Sequence, residues 1–68
     1  MKCILIKERI NGIKKIELER KLTGFKGFKF IRSGYKSSEI LFESNEISEP
    51  LDLIKKMDIS VERIVEFR

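Results

Sequence analysis

Residues 13–22, IKKIELERKL, decide the fold of this 68-residue chain. Read as a strand, the segment alternates, with Ile16, Leu18 and Leu22 on one face. Read as a helix, it puts Leu18 and Leu22 nearly opposite Ile13 and Ile16, which makes a poor amphipathic stripe. Its Lys, Glu, Leu and Arg content nonetheless favours a helix. The punctuation is double too. Asn11-Gly12 between Ile-flanked segments is a two-residue hairpin signal. Asn11 is equally a helix N-cap, with Gly24 as the matching C-terminal glycine. A helix here gives strand, helix, strand, strand, helix, strand. A strand gives a four-stranded meander followed by one helix and a final strand.

The flanking segments read more clearly. Residues 3–10, CILIKERI, are Ile-rich and predict a strand. Residues 25–32, FKGFKFIR, predict a second, with Phe28 and Phe30 on one face. Ser33-Gly34-Tyr35-Lys36-Ser37 is a turn, and residues 39–44, EILFES, return antiparallel as a hairpin partner. A helix follows. Ser48 serves as its N-cap, Glu49 suits the positive end of the dipole, and Pro50 is tolerated in the first turn. Ile47, Leu51, Ile54 and Met57 share one side, and Lys55 and Lys56 stand in the last turn. Beyond Asp58, residues 60–67, SVERIVEF, predict the last strand, with Val61, Val65 and Phe67 on one face. No linker, repeat or low-complexity tract divides the chain, so residues 1–68 form one domain of the α+β class.

From Gly24-Phe25 onward, this layout resembles the ferredoxin-like fold, in particular the RNA-recognition-motif arrangement. The resemblance runs through Phe28 and Phe30, ILFES, the helix ending LIKKM and the strand ERIVEF. It implies a βαββαβ antiparallel sheet with both helices on one face and residues 13–22 as the first helix. Lys26-Gly27-Phe28-Lys29-Phe30-Ile31 is also similar to that family's base-stacking motif. It departs from the motif at Lys29 and Ser33, and it falls on the second strand where the family uses the third. No stacking residue is therefore carried over.

Composition narrows the chemistry. The chain has no histidine and one cysteine, Cys3. An intrachain disulfide is therefore ruled out, and one thiol does not make a zinc site. General acid–base catalysis lacks its commonest side chain. Glu17 with Glu19 and Glu62 with Glu66 are spaced as solvated glutamates, and the four glycines do not form a phosphate-binding loop. The sequence thus predicts a protein without enzymatic activity, cofactor or metal. No apolar run approaches a membrane span and no signal-peptide core is present, so the expected location is the cytoplasm. Alanine, glutamine and tryptophan are absent while Ile, Lys and Glu abound. Either a thermophile's ion-pair surface or an AT-rich genome produces that bias.

Charge is uneven. Residues 1–36 carry eleven Lys/Arg and three Glu, whereas residues 37–68 carry four Lys/Arg and eight Asp/Glu. A basic half attracts phosphate or acidic protein surface. The candidate phosphate contacts are Lys14, Lys15, Arg20, Lys21, Lys26, Lys29, Arg32 and Lys36.

Strict alternation supplies the main functional expectation. If Ile4, Ile6, Phe28, Phe30, Ile40, Phe42, Val65 and Phe67 face the helices, then Leu5, Ile31, Leu41 and Ile64 emerge on the open face. Lys7, Arg9, Lys29, Glu62 and Glu66 would stand beside them. An apolar stripe rimmed by charge predicts burial against a protein partner or a second copy. A free sheet edge used for strand addition is the other protein-binding surface expected. A small regulatory or adaptor module of the inhibitor or accessory-subunit type is the leading expectation. Nucleic-acid binding through the basic half is the alternative, and a small-ligand sensor is a third class.

Overall fold

A computed structural model describes residues 1–66. The elements run β1 (Lys2–Ile6), α1 (Gly12–Leu22), β2 (Phe28–Ser33), β3 (Ser38–Phe42), α2 (Ser48–Lys56) and β4 (Val61–Glu66). All strand pairings are antiparallel, and the sheet order is β2-β3-β1-β4. This is the ferredoxin-like βαββαβ layout, and the meander is excluded.

Residues 13–22 are helical because a helix against this sheet needs little of a stripe. Leu18 and Leu22, one turn apart, are fully buried. Ile13 and Ile16, on the opposite side, are left 75% and 57% exposed. Asn11 takes the extended N-cap conformation, and its carbonyl accepts from the Lys15 N–H at 3.4 Å, but its side chain makes no capping bond. Gly24 does not close the helix. Thr23 does so, donating to the Glu19 carbonyl through both its N–H (2.9 Å) and its hydroxyl (2.6 Å).

At α2 the capping residue is Ile47, one position before the expected Ser48, whose hydroxyl instead donates to Glu46 Oε1 at 2.7 Å. The far end closes with a Schellman arrangement. Asp58, at φ 63°, donates its N–H to the Lys55 carbonyl, and the Ile59 N–H reaches the Ile54 carbonyl.

Three strands differ in extent from the sequence reading. The first stops at Ile6, so Lys7 and Arg9 belong to the following loop and not to the sheet. The second starts at Phe28, because Gly27 turns at φ 88°. The third spans Ser38–Phe42.

Eleven residues form the core between sheet and helices: Ile4, Ile6, Ile10, Leu18, Leu22, Ile31, Ile40, Phe42, Ile47, Ile54 and Ile59. Ile10 reaches it from the loop after β1, which two serines strap down. The Ser38 hydroxyl accepts from the Ile10 N–H at 2.8 Å and donates to the Glu8 carbonyl at 2.9 Å, while Ser33 donates to the Ile10 carbonyl. Ser38 is the one buried polar residue of the described chain. Replacing Ser38 with Ala removes both of its bonds in a dry site and is expected to cost about 1–3 kcal/mol. Urea titration measures the loss, and faster exchange of the Ile10 amide locates it. An unchanged midpoint would show that water replaces the serine.

Candidate binding face

Helices cover one side of the sheet, and cross-strand pairing identifies which side chains share the other. On the covered side, Ile31, Ile40, Ile4 and Ile64 stand in register across all four strands. This row corrects the alternation-based reading. Ile31 is 6% exposed and lies in the core, and Ile64, in the same covered-side row at the other edge of the sheet, is 41% exposed. Neither lies on the open face.

The open face instead carries Phe30, Leu41, Cys3 and Val65 in one row, with Arg32, Glu39, Leu5 and Arg63 in the next. Leu5 and Leu41 fall where alternation places them; Ile31 and Ile64 exchange places with Phe30 and Val65. The cause is a register shift in each edge strand, between Phe28 and Phe30 on β2 and opposite the Leu5/Ile6 step on β4. One inserted residue reverses the facing of everything beyond it. Glu66 consequently aligns with Lys2 and Phe42 in a covered-side row, while Phe67 lies outside the described residues. The sequence does contain a signal for the split. Phe30-Ile31 and Ile64-Val65 are adjacent apolar pairs, and neighbours on a strand face opposite ways. Alternation cannot tell which member of each pair faces in.

Phe30 is the exposed aromatic of this face, at 41%. The Arg32 guanidinium sits 5.6 Å from its ring centroid, within cation–π range. Beside them is a cavity of about 330 Å³ lined by Met1, Cys3, Phe30, Arg32, Glu39 and Leu41. Its floor is the buried Cys3, whose thiol lies 3.8 Å from Glu39 Oε2. Arg32 meets the same carboxylate oxygen at only 4.0 Å.

Burial above all, then the charge and hydrogen bond of Glu39, pushes the Cys3 thiol up from its ordinary 9.0, against a smaller opposing pull from Arg32. The thiol is therefore held in its unreactive neutral form. A raised folded-state pKa means that the stability it contributes is complete below the unfolded thiol's pKa. That contribution falls as pH climbs past 9.0 toward the folded value. The stability difference between wild type and Cys3→Ala is therefore expected to stay flat up to that pH and to shrink above it, as read by urea midpoints across the alkaline range. A difference independent of pH would contradict the assignment.

The basic candidates do not converge. Lys14, Lys15, Arg20 and Lys21 lie on α1, on the covered side of the sheet. Lys26 precedes β2, Lys29 stands at its bulge, Arg32 is on the open face and Lys36 is in the hairpin turn. Three are engaged by carboxylates: Lys14 with Glu8 at 3.4 Å, Lys29 with Glu43 at 2.9 Å and, loosely, Arg32 with Glu39. Tyr35 is 83% exposed in the turn, with Lys36 Nζ 5.9 Å from its ring centroid. Both sheet edges carry charges and an irregular register, features that discourage strand addition. Among the described residues, no group of three or more His, Cys, Asp or Glu is placed to hold a metal ion. No helix among them is long and apolar enough to cross a membrane.

Fold and face together define a small ferredoxin-like α+β domain with an uncovered, partly apolar sheet surface. Comparison with protein-family models, with curated proteins and with solved structures returns no match.

Proposed function

We propose that this chain is a non-enzymatic regulatory or adaptor module that acts by protein–protein contact through the open face of its sheet. The observation that carries this reading is the in-register row Phe30–Leu41–Cys3–Val65, which neither helix covers. Apolar surface left on a flat, charge-rimmed face gains free energy when a partner excludes water from it, about 25 cal/mol per Å² buried. Charged and irregular edges direct contact to the face rather than to strand addition.

The test is affinity capture from the native host with wild type and with a Phe30→Ser/Leu41→Ser double variant, with gel filtration of each beside it. Loss of a discrete captured protein, or of a wild-type oligomer, in the folded double variant is the expected result. Equal capture by both proteins, at equal oligomeric state, would sink the reading.

A second reading, single-stranded nucleic acid, draws on the Phe30–Arg32 pair. It requires binding that weakens steeply with salt and with charge reversal at Lys26, Lys29 and Arg32.

A further inference from the structure

We infer that the occupant of the open face is an acidic protein segment with an apolar anchor. The anchor would fill the cavity between Phe30, Leu41, Cys3 and Met1, and the carboxylates would meet Arg32 and, across the same row, Arg63. This rests on the reading of the open face as the contact surface, and it names the chemistry of the partner.

Two observations converge on it. The first is the cavity. Its volume of about 330 Å³ is at the small end of ligand-sized sites, and its lining is apolar apart from Arg32 and Glu39. Arg32 is the charged group with capacity to spare. Its side chain is 67% exposed, and its one carboxylate contact is at 4.0 Å. A guanidinium has five N–H donors and pairs with carboxylates in a bidentate fork.

The second is the charge beside that cavity. The open-face row Arg32–Glu39–Leu5–Arg63 carries two cations to one carboxylate. Arg63 is exposed, and the whole chain is +4. The open face is therefore net positive along this row, and an anionic segment is drawn to it.

The same observations disfavour two other occupants. A second copy would set one net-positive chain, +4, against another. Non-specific single-stranded nucleic acid needs successive aromatic platforms. Phe30 is the one exposed ring among the described residues of this face, and the remaining cavity walls are aliphatic, sulfur-bearing or, at Arg32 and Glu39, charged.

The test uses the full chain and fluorescence anisotropy with four labelled probes. These are a peptide alternating Asp with Leu and Phe, the same peptide with Lys for Asp, an oligo-aspartate, and a single-stranded oligodeoxythymidylate. The first probe is expected to bind at least about tenfold more tightly than each of the others, a difference of roughly 1.4 kcal/mol. It should shift the methyl resonances of Leu41 and Met1 and leave those of Ile16 in place. Arg32→Glu should weaken it about tenfold or more, while Lys15→Glu on α1 leaves it unchanged; circular dichroism verifies that both variants fold.

The inference is overturned by comparable binding of the Lys peptide or oligo-aspartate, by tighter binding of the oligonucleotide, or by indifference to Arg32→Glu. A wild-type dimer broken by Leu41→Asp would overturn it in favour of a second copy. If the double variant loses its host partner while the peptide panel shows no preference, the contact face stands and only the partner chemistry fails. Peptide binding that survives in the double variant would sink both.

Discussion

Phe42→Ala is expected to remove about 3–5 kcal/mol of the chain's folding stability. Phe42 is fully buried at the end of β3, and its ring meets that of Phe28 edge-on, with centroids 5.6 Å apart and planes at 62°. Truncating a buried phenylalanine costs about 3–5 kcal/mol through lost transfer energy and the cavity left behind. A domain of this length has a total stability of roughly 3–10 kcal/mol, so one such loss removes a large share of the margin. With one cysteine the chain has no intrachain disulfide to offset it, and among the described residues no cluster of His, Cys, Asp or Glu could hold a metal. The control is Phe30→Ala, two positions after Phe28 but on the open face and 41% exposed. It should cost about 1–2 kcal/mol, less than Phe42→Ala, because Phe30 is only partly withdrawn from water and leaves no enclosed cavity. Urea denaturation followed by circular dichroism measures both. Equal losses would mean that the bulge does not separate Phe28 from Phe30, and the open face would lose its aromatic.

Gly27→Ala should have the next largest effect. At φ 88° an L side chain is strained, and a Cβ here would stand 2.8 Å from both the backbone N and the Cβ of Ser44. Neither atom is the movable tip of a flexible chain. The Gly27 carbonyl also accepts from the Glu43 N–H at 2.7 Å, so its peptide cannot rotate away without breaking the start of the hairpin. Strain and overpacking together should cost about 2–4 kcal/mol. Gly12 separates the two contributions. Its φ is 61°, but a Cβ there meets nothing within 4 Å, so Gly12→Ala should cost only the backbone term, about 1–2 kcal/mol. If the two variants melt together, the close approach of Gly27 to Ser44 is absent in solution. Such a result would also remove the physical reason for β2 to begin its irregular register there.

The two glycines illustrate how local and distant effects divide. Asn11-Gly12 is read from sequence as either turn or cap. It is resolved as a helix start because Leu18 and Leu22, six and ten residues later, find a sheet to pack against. Gly27 looks like an ordinary strand interruption. Its role depends on Ser44, seventeen positions away in the chain, and no local pattern encodes that approach.

The α+β class, the β2–β3 hairpin, the second helix with its buried Ile47 and Ile54, and the inward facing of Ile4, Ile6, Ile40 and Phe42 all follow from short-range periodicity and turn chemistry. These are properties of a few consecutive residues, so the sequence alone determines them. The helical state of residues 13–22 and the membership of the open face are different in kind. The first depends on a sheet that the segment itself does not contain. The second depends on single-residue bulges in the two edge strands, set by pairing with β3 and β1. Because strand facing has a period of two, each bulge reverses every side chain beyond it. Phe30 and Val65 are thereby placed on the surface, while Ile31 and Ile64 turn to the covered side, and only the assembled sheet decides that exchange.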